Sequence, residues 1–244
     1  MKDLFSRQSD LYARYRPTYP TELFDFILEY VPMRRAAWDC ATGNGQVASV
    51  LSDYFTTVEA TDISEKQLAE AIPRPNVHYQ LSPAETTPFE AGTFDLVTVG
   101  QALHWFDFGP FFEEVKRVSR PGALFAAWGY ELLEISPEVD PLILDFYENI
   151  VGPFWAPERK HIQEKYRNIP FPLQEIPAPE FAMVKNWTLE ELGGYFSSWS
   201  SVQGYISQYG ENPVPDLIAQ ISPFWPAGEV ITVTFPVFLR MGRV

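Results

Sequence analysis

Ala36-Ala37-Trp38-Asp39-Cys40 runs directly into Ala41-Thr42-Gly43-Asn44-Gly45, and the organisation of the chain is read from this junction. The first five residues are apolar except for Asp39, as expected of a short strand covered on both faces. The next five include Gly43 and Gly45, which lack Cβ atoms, so the backbone can turn tightly and a ligand can lie against it. Gln46 to Phe55 then carries Val47, Val50, Leu51 and Phe55 at helical spacing. A strand, a glycine loop and a helix open a βαβ unit. In such sheets ligands sit at the carboxyl ends of the strands, where strand order reverses.

The same rhythm continues on either side. A helix is expected over Thr21 to Val31, and strands over Thr57–Thr61, Val77–Leu81, Phe94–Val99 and Ala123–Trp128. Between them lie a helix from Ser64, where Ser64 and Gln67 have capping-box spacing, and one over Pro110 to Val118. Strands alternating with helices in this way predict a mostly parallel sheet. After Tyr130 the pattern breaks. Residues 131–180 carry Pro137, Pro141, Pro153, Pro157, Pro170, Pro172, Pro177 and Pro179, with one helix near Val139 to Ile150, and read as an irregular cap. A strand over Phe181–Trp187, a helix over Leu189–Ile206 and a long terminal strand over Glu229–Arg240 follow. The expectation is a doubly wound, Rossmann-like α/β fold. It has seven strands, mostly parallel, with an antiparallel terminal strand and an inserted cap. One domain spans 1–244, divided into an N-terminal segment (1–35), a ligand-loop core (36–130), the cap (131–180) and the final helices and strands (181–244).

Bulk properties narrow the function. The 244 residues are 46% hydrophobic and 16% aromatic, ample for a core, and the 19 Phe, 12 Tyr and 7 Trp suggest a pocket with aromatic walls. Net charge is −14. Proteins that grip nucleic acid show a basic patch, whereas Arg14/Arg16, Arg34/Arg35, Lys116/Arg117/Arg120 and Arg159/Lys160 are short clusters scattered among acids. Nucleic acid is not an expected partner. The lone Cys40 excludes an intrachain disulfide and cysteine-cluster metal sites, and His78 and His161 lack partners at ligand spacing, so no metal is expected. Met1-Lys2-Asp3-Leu4-Phe5-Ser6-Arg7 has no signal-peptide apolar core, and no run of about 18 apolar residues offers a membrane span. A cytoplasmic protein acting on a small molecule, without membrane contact and as monomer or homodimer, is expected.

The chemistry is sought at the strand ends. Asp62 closes the second strand, 17 residues after Gly45, where a carboxylate can accept both hydroxyls of a ribose. Glu85 follows the third strand, where an acid can face an adenine edge. Gly43-x-Gly45-x-x-Ala48 also satisfies the dinucleotide fingerprint, so the glycines alone leave a nicotinamide-dependent oxidoreductase open. Three features tilt the balance. Asp39 beside the loop suits a ligand carrying an ammonium group and repels a pyrophosphate. A substantial segment precedes the first strand. The chain ends in a long strand after a helix.

The run Trp38 to Gly45 resembles motif I of class I S-adenosylmethionine-dependent methyltransferases, with Ala41 where many members have a glycine. Ala60-Thr61-Asp62-Ile63-Ser64 resembles their second motif; Pro83-Ala84-Glu85 and Phe94-Asp95-Leu96-Val97 resemble the adenine-side loop and fourth strand. More narrowly, Tyr12-Ala13-Arg14-Tyr15-Arg16-Pro17-Thr18-Tyr19-Pro20 with Gln101-Ala102-Leu103-His104-Trp105-Phe106 is similar to the branch of trans-aconitate methyltransferase-like enzymes. The resemblance implies that Asp39 and the loop Ala41, Thr42, Gly43, Asn44 and Gly45 hold the methionine end of the cofactor. It implies that Asp62 takes the ribose with Ile63 beside it, and that Ala84 and Glu85 flank the adenine. Gln101 joins the cofactor side, Tyr12, Tyr15 and Arg16 form a lid, and His104 and Trp105 stand between methyl group and acceptor.

Methyl transfer from a sulfonium is an in-line displacement, in which alignment and exclusion of water are the protein's main tasks. A carboxylate acceptor needs no base; a hydroxyl does, and His104 is the candidate to orient or deprotonate it. Each role has a duller competitor: Asp62 as a helix cap, Glu85 as an exposed acid, His104 as a pocket hydrogen-bonder, Arg16 as a partner of surface acids. Gly100-Gln101-Ala102-Leu103-His104 lacks the Asn/Asp-Pro-Pro-aromatic motif of amino-methylating DNA enzymes. The expected function is methyl transfer from S-adenosylmethionine to a small carboxylate or hydroxyl. The alternatives are an NAD(P)-dependent oxidoreductase and a catalytically inactive cofactor-binding module.

Overall fold

β1 (Ala36–Cys40) is buried along its whole length, which places it at the centre of the sheet. The computed structural model describes residues 18–244, so Tyr12, Tyr15 and Arg16 lie outside the described residues. β1 pairs in parallel with β2 (Thr57–Asp62) and with β4 (Phe94–Gly100). β3 (Val77–Leu81) extends the sheet beyond β2, and β5 (Ser119–Tyr130) extends it beyond β4, both in parallel. Strand order therefore reverses between β1 and β4, and a crevice opens at their carboxyl ends. Side chains alternate across β1: Ala37 enters one core, while Ala36, Trp38 and Cys40 enter the other.

The far side of the sheet is antiparallel. β8 (Ile231–Arg243) pairs with β5 from Leu124 opposite Arg243 to Tyr130 opposite Val237. Its other edge is shared by β6 (Gln174–Ile176) and β7 (Phe181–Trp187). The doubly wound expectation holds, with eight strands where the sequence pattern marks seven. β6 falls inside the stretch read as cap. Three residues among Pro170, Pro172, Pro177 and Pro179 carry no period, and only pairing with the terminal strand makes them a strand.

Helices cover both faces. α1 (Thr21–Glu29) and α2 (Gln46–Leu51) bury Leu23, Ile27, Val47 and Leu51 in the first core. α3 (Glu65–Ala69) is capped by Ser64, whose hydroxyl accepts the Gln67 N–H. α4 (Phe108–Val118) packs Phe111, Phe112, Val115 and Val118 into the second core. Between β5 and β6 the chain forms α5 (Asp140–Asp145), a π-turn (Phe146–Ile150), 3-10 turns at 152–154 and 157–159, and α6 (Lys160–Gln163). The helix expected over 189–206 is two: α7 (Leu189–Ser197) and α8 (Ser200–Tyr209). Trp199 is extended at the break, where its ring meets Phe146, Tyr147 and Trp155. α9 (Val214–Ile221) is a further helix that the sequence reading omits, although Val214, Leu217 and Ile221 have helical spacing. Among the described residues no helix is long and apolar enough to cross a membrane.

Candidate functional site

A cleft of about 880 Å³, measured out to its open mouth, lies at the ends of β1, β2 and β4. It gathers most of the residues singled out from sequence: Asp39, Ala41, Thr42, Gly43, Asn44, Asp62, Ile63, Gln101 and Trp105 all line it. Gly45 does not, and works behind the wall. Its φ of +80° turns the chain into α2, and a Cβ there would come within 2.9 Å of the Tyr79 ring. Ala41 and Gly43 share the left-handed conformation, with φ of +55° and +58°. Alanine at position 41 thus meets the loop's geometry at the cost of local strain.

Both carboxylates of the cleft hold backbone. Asp62 accepts the Gly43 N–H through Oδ2 and the Ser64 N–H through Oδ1, each at 2.9 Å. The loop after β1 is thereby pinned to the end of β2. Asp39 is buried; its Oδ2 accepts the Thr42 hydroxyl at 2.5 Å and the Ala48 N–H at 3.1 Å, and its Oδ1 accepts the Thr98 hydroxyl at 2.9 Å. Burial nevertheless outweighs these bonds and, with a smaller push from Asp62, raises the Asp39 carboxyl to about 6. An ionised Asp39 at neutral pH is thus a charge in need of a counter-charge.

The third wall is the turn after β4. Gln101 sits at φ +56°; its N–H donates to the Trp128 carbonyl and its Oε1 accepts the Tyr130 N–H, both at 2.8 Å. A Cβ at Gly129 would lie 2.7 Å from that oxygen, so the neighbouring strand leaves room for this side chain. The 3-10 turn Leu103–Trp105 then turns Trp105 to the cleft. His104 is not among the lining residues. Its ring lies 4.7 Å from that of Trp105, and Nδ1 is 3.2 Å from the Tyr166 hydroxyl. Burial, helped by Arg159 and His161, lowers its pKa to about 3, so the imidazole is neutral across the physiological range.

Two expected adenine-side residues are not brought to the walls. Ala84 is buried in the second core, and Glu85 accepts the Asp107 N–H at 3.1 Å. In their place the cleft is completed by Tyr19, Gln46, Val47, Ser64, Gln67, Gly100 and Ala102. Gly100, Gln46 and Tyr19 lie within or beside segments already marked, Tyr19 in the run Tyr12 to Pro20, so they could have been read. Among the described residues no group of three His, Cys, Asp or Glu is placed to hold a metal.

The walls fit the cofactor expected from sequence better than its rival. Among the described lining residues there are two carboxylates, Asp39 and Asp62, and no Lys, Arg or His. A ligand with an ammonium, a sulfonium and a ribose diol matches that sign and those acceptors. A pyrophosphate does not.

Comparisons agree with this reading. The methyltransferase domain family matches residues 38–127. A Dictyostelium discoideum protein described as a methyltransferase is 31% identical over 249 residues, covering 99% of this chain and 95% of that one. A Saccharomyces cerevisiae protein described as an S-adenosylmethionine-dependent methyltransferase is 26% identical over 150 residues, which is 58% of this chain and 49% of that protein. Among solved structures, one described as a type II methyltransferase from Anaeromyxobacter dehalogenans superposes with a TM-score of 0.88 at 36% identity, over 94% of this chain and 98% of that one.

Proposed function

The chain belongs to the class I S-adenosylmethionine-dependent methyltransferases, and from that premise we propose that its acceptor is an oxygen of a small molecule, a carboxylate in preference to a hydroxyl. The observation that carries the proposal is the turn after β4. Trp105 lines the cofactor cleft, while the adjacent His104 is buried and its pKa of about 3 makes it a poor proton acceptor. A hydroxyl acceptor would require such a base; a carboxylate is already ionised. The sequence resemblance to the trans-aconitate methyltransferase-like branch supports the same class of acceptor, and the formal charge of −14 speaks for an enzyme of small molecules over a nucleic-acid reader.

The roles follow from what the residues offer. When bound, S-adenosylmethionine supplies an electrophilic methyl group on a sulfonium. Asp39 and the loop Ala41 to Gly45 take the methionine end, whose ammonium group supplies the counter-charge that the buried Asp39 carboxylate lacks. Asp62 turns its remaining acceptor capacity to the ribose diol, with Ile63 beside it. Gln101 holds the floor at the end of β4, and Trp105 closes the cleft toward the acceptor. His104, locked against Tyr166, orients this turn and moves no proton. Transfer to a carboxylate would form an oxygen–carbon bond as the carbon–sulfur bond broke, so the residues of the cleft would have only to align the acceptor and exclude water. No acid or base is needed.

Calorimetric titration with S-adenosylhomocysteine, followed by methyl-transfer assays on matched carboxylates and alcohols, tests this. Micromolar binding and turnover confined to acids is the expected result. Turnover of alcohols alone, with a rate rising with pH, would overturn the acceptor assignment.

A further inference from the structure

Just beyond α6, Lys165 and Tyr166 are consecutive left-handed residues, with φ of +50° and +61°, and neither is glycine. That conformation is unfavourable for any residue with a Cβ and persists only where surrounding contacts enforce it. Two cations enforce it here. Lys165 Nζ reaches Glu131, which follows β5, and Glu180, which precedes β7, each at 2.9 Å. Arg240 on β8 donates from Nη1 to the carbonyls of Tyr166 and Ile169, at 2.5 and 2.7 Å, and from Nε to Glu175 at 2.9 Å. The backbone at Tyr166 is thereby tied to the antiparallel side of the sheet.

The Tyr166 side chain is what these ties hold in place. It is fully buried, and its ring stands perpendicular to that of Phe238 at 5.0 Å. Its hydroxyl lies 3.2 Å from Nδ1 of His104, and the backbone of Leu103 and of His104 adds hydrogen bonding to the same oxygen. A phenylalanine would fill the same space, so the oxygen serves the turn Leu103–Trp105 and not the packing. That turn ends in Trp105, whose ring is 4.7 Å from that of His104 and which lines the cleft. Arg240, Tyr166, His104 and Trp105 form an unbroken series of contacts from β8 to the cleft.

We propose that Tyr166 is a positioning residue for methyl transfer: held from behind by Lys165 and Arg240, its hydroxyl fixes the turn Leu103–Trp105 and so sets the place of Trp105 in the cleft. The inference rests on the methyltransferase reading and deepens it, because it moves the control of one cleft wall to a residue that does not line the cleft.

The test labels the full chain with 5-fluorotryptophan at its 7 tryptophans and records fluorine NMR spectra with and without S-adenosylhomocysteine. The Trp105 resonance is identified by its loss in Trp105→Phe. Tyr166→Phe, which removes one oxygen, is expected to shift or broaden that resonance and to leave the other tryptophans in place. Arg240→Gln, which loosens Tyr166 from its backbone side, is expected to move the same resonance by less. Calorimetry should show Tyr166→Phe weakening S-adenosylhomocysteine about threefold, the scale of one hydrogen bond between neutral groups, with no further loss when it is added to Trp105→Phe. A Trp105 resonance unmoved in Tyr166→Phe, or losses that simply add in the double variant, would overturn the proposal. Should Tyr166→Phe not fold, an unmoved resonance in Arg240→Gln does the same. Failure of the folded wild type to bind S-adenosylhomocysteine is a separate result, and it would remove the methyltransferase reading together with this one.

Discussion

At the ends of β1 and β2 the charged groups are tied to backbone: Asp62 to the N–H groups of Gly43 and Ser64, Asp39 to that of Ala48. In the cap, over 131–173, the guanidinium of Arg159 is held by the rings of Trp155 and Tyr147, which pack on Trp199 from beyond β7. Backbone anchoring fixes a ligand position through chain geometry, which few side-chain changes can move. A ring-built clamp fixes only what its neighbours enforce, and replacing them re-aims it. The first holds its place wherever the strand and loop geometry is kept, the second only where the same rings are kept.

The comparison can be broken in several places. Gly45→Ala should cost most, because a left-handed alanine costs about 1–2 kcal/mol and its Cβ must displace the Tyr79 ring, for a total of about 3 kcal/mol. Gly210→Ala, also left-handed at φ +77° but with open space around its Cβ, should pay the conformational part alone. Equal losses in urea unfolding would show that the ring does not constrain the loop. Next, Asp62→Ala removes a charged acceptor from the loop and, on the proposed role, from the ribose. It should weaken S-adenosylhomocysteine about 100-fold by calorimetry, or about 2.7 kcal/mol. A loss below about threefold would reduce Asp62 to a helix-end cap.

Trp155→Ala sharpens the contrast from the other side. It should lower stability by about 2 kcal/mol, less than for a fully buried ring, and leave S-adenosylhomocysteine affinity within about twofold. A cofactor loss comparable to that of Asp62→Ala would mean the two regions are one unit. The smallest effect belongs to Asp39. Its folded pKa of about 6 lies above the ordinary 3.8, so its contribution to apo stability is fully present below the lower value and lost as pH rises through the higher. A cationic ligand reverses the preference, so affinity for S-adenosylhomocysteine should rise about fivefold between pH 5 and pH 7.5, with proton release, and Asp39→Asn should flatten the profile. An affinity that falls with pH would place the ligand's cation elsewhere.

The parts legible in the sequence are those whose signals are local. Trp38 to Gly45, Asp62 and the alternating strands and helices could be read because burial on both faces, a left-handed loop and a strand-end carboxylate each demand particular residue types in one short stretch. Glu85 shows the limit. An acid after the third strand has the same local pattern whether it lines the cleft or, as Glu85 does, stands off its walls and accepts the Asp107 N–H. The helix break at Trp199 had no proline or glycine to announce it. The ring turns out of the helical path to join Phe146, Tyr147 and Trp155, partners roughly 50 residues away in sequence.

By itself, then, the sequence determined the doubly wound sheet, the glycine loop and the pair of carboxylates beside it, because chain geometry and strand burial act within a few residues. Only the tertiary structure decided the edge strand β6, the burial of His104 against Tyr166, the closure of the cleft by Tyr19 and the ring-held state of Arg159. Each of these depends on groups that meet across long sequence separations, where the cost of burying a polar or charged side chain is set by what packs around it and not by what precedes it in the chain.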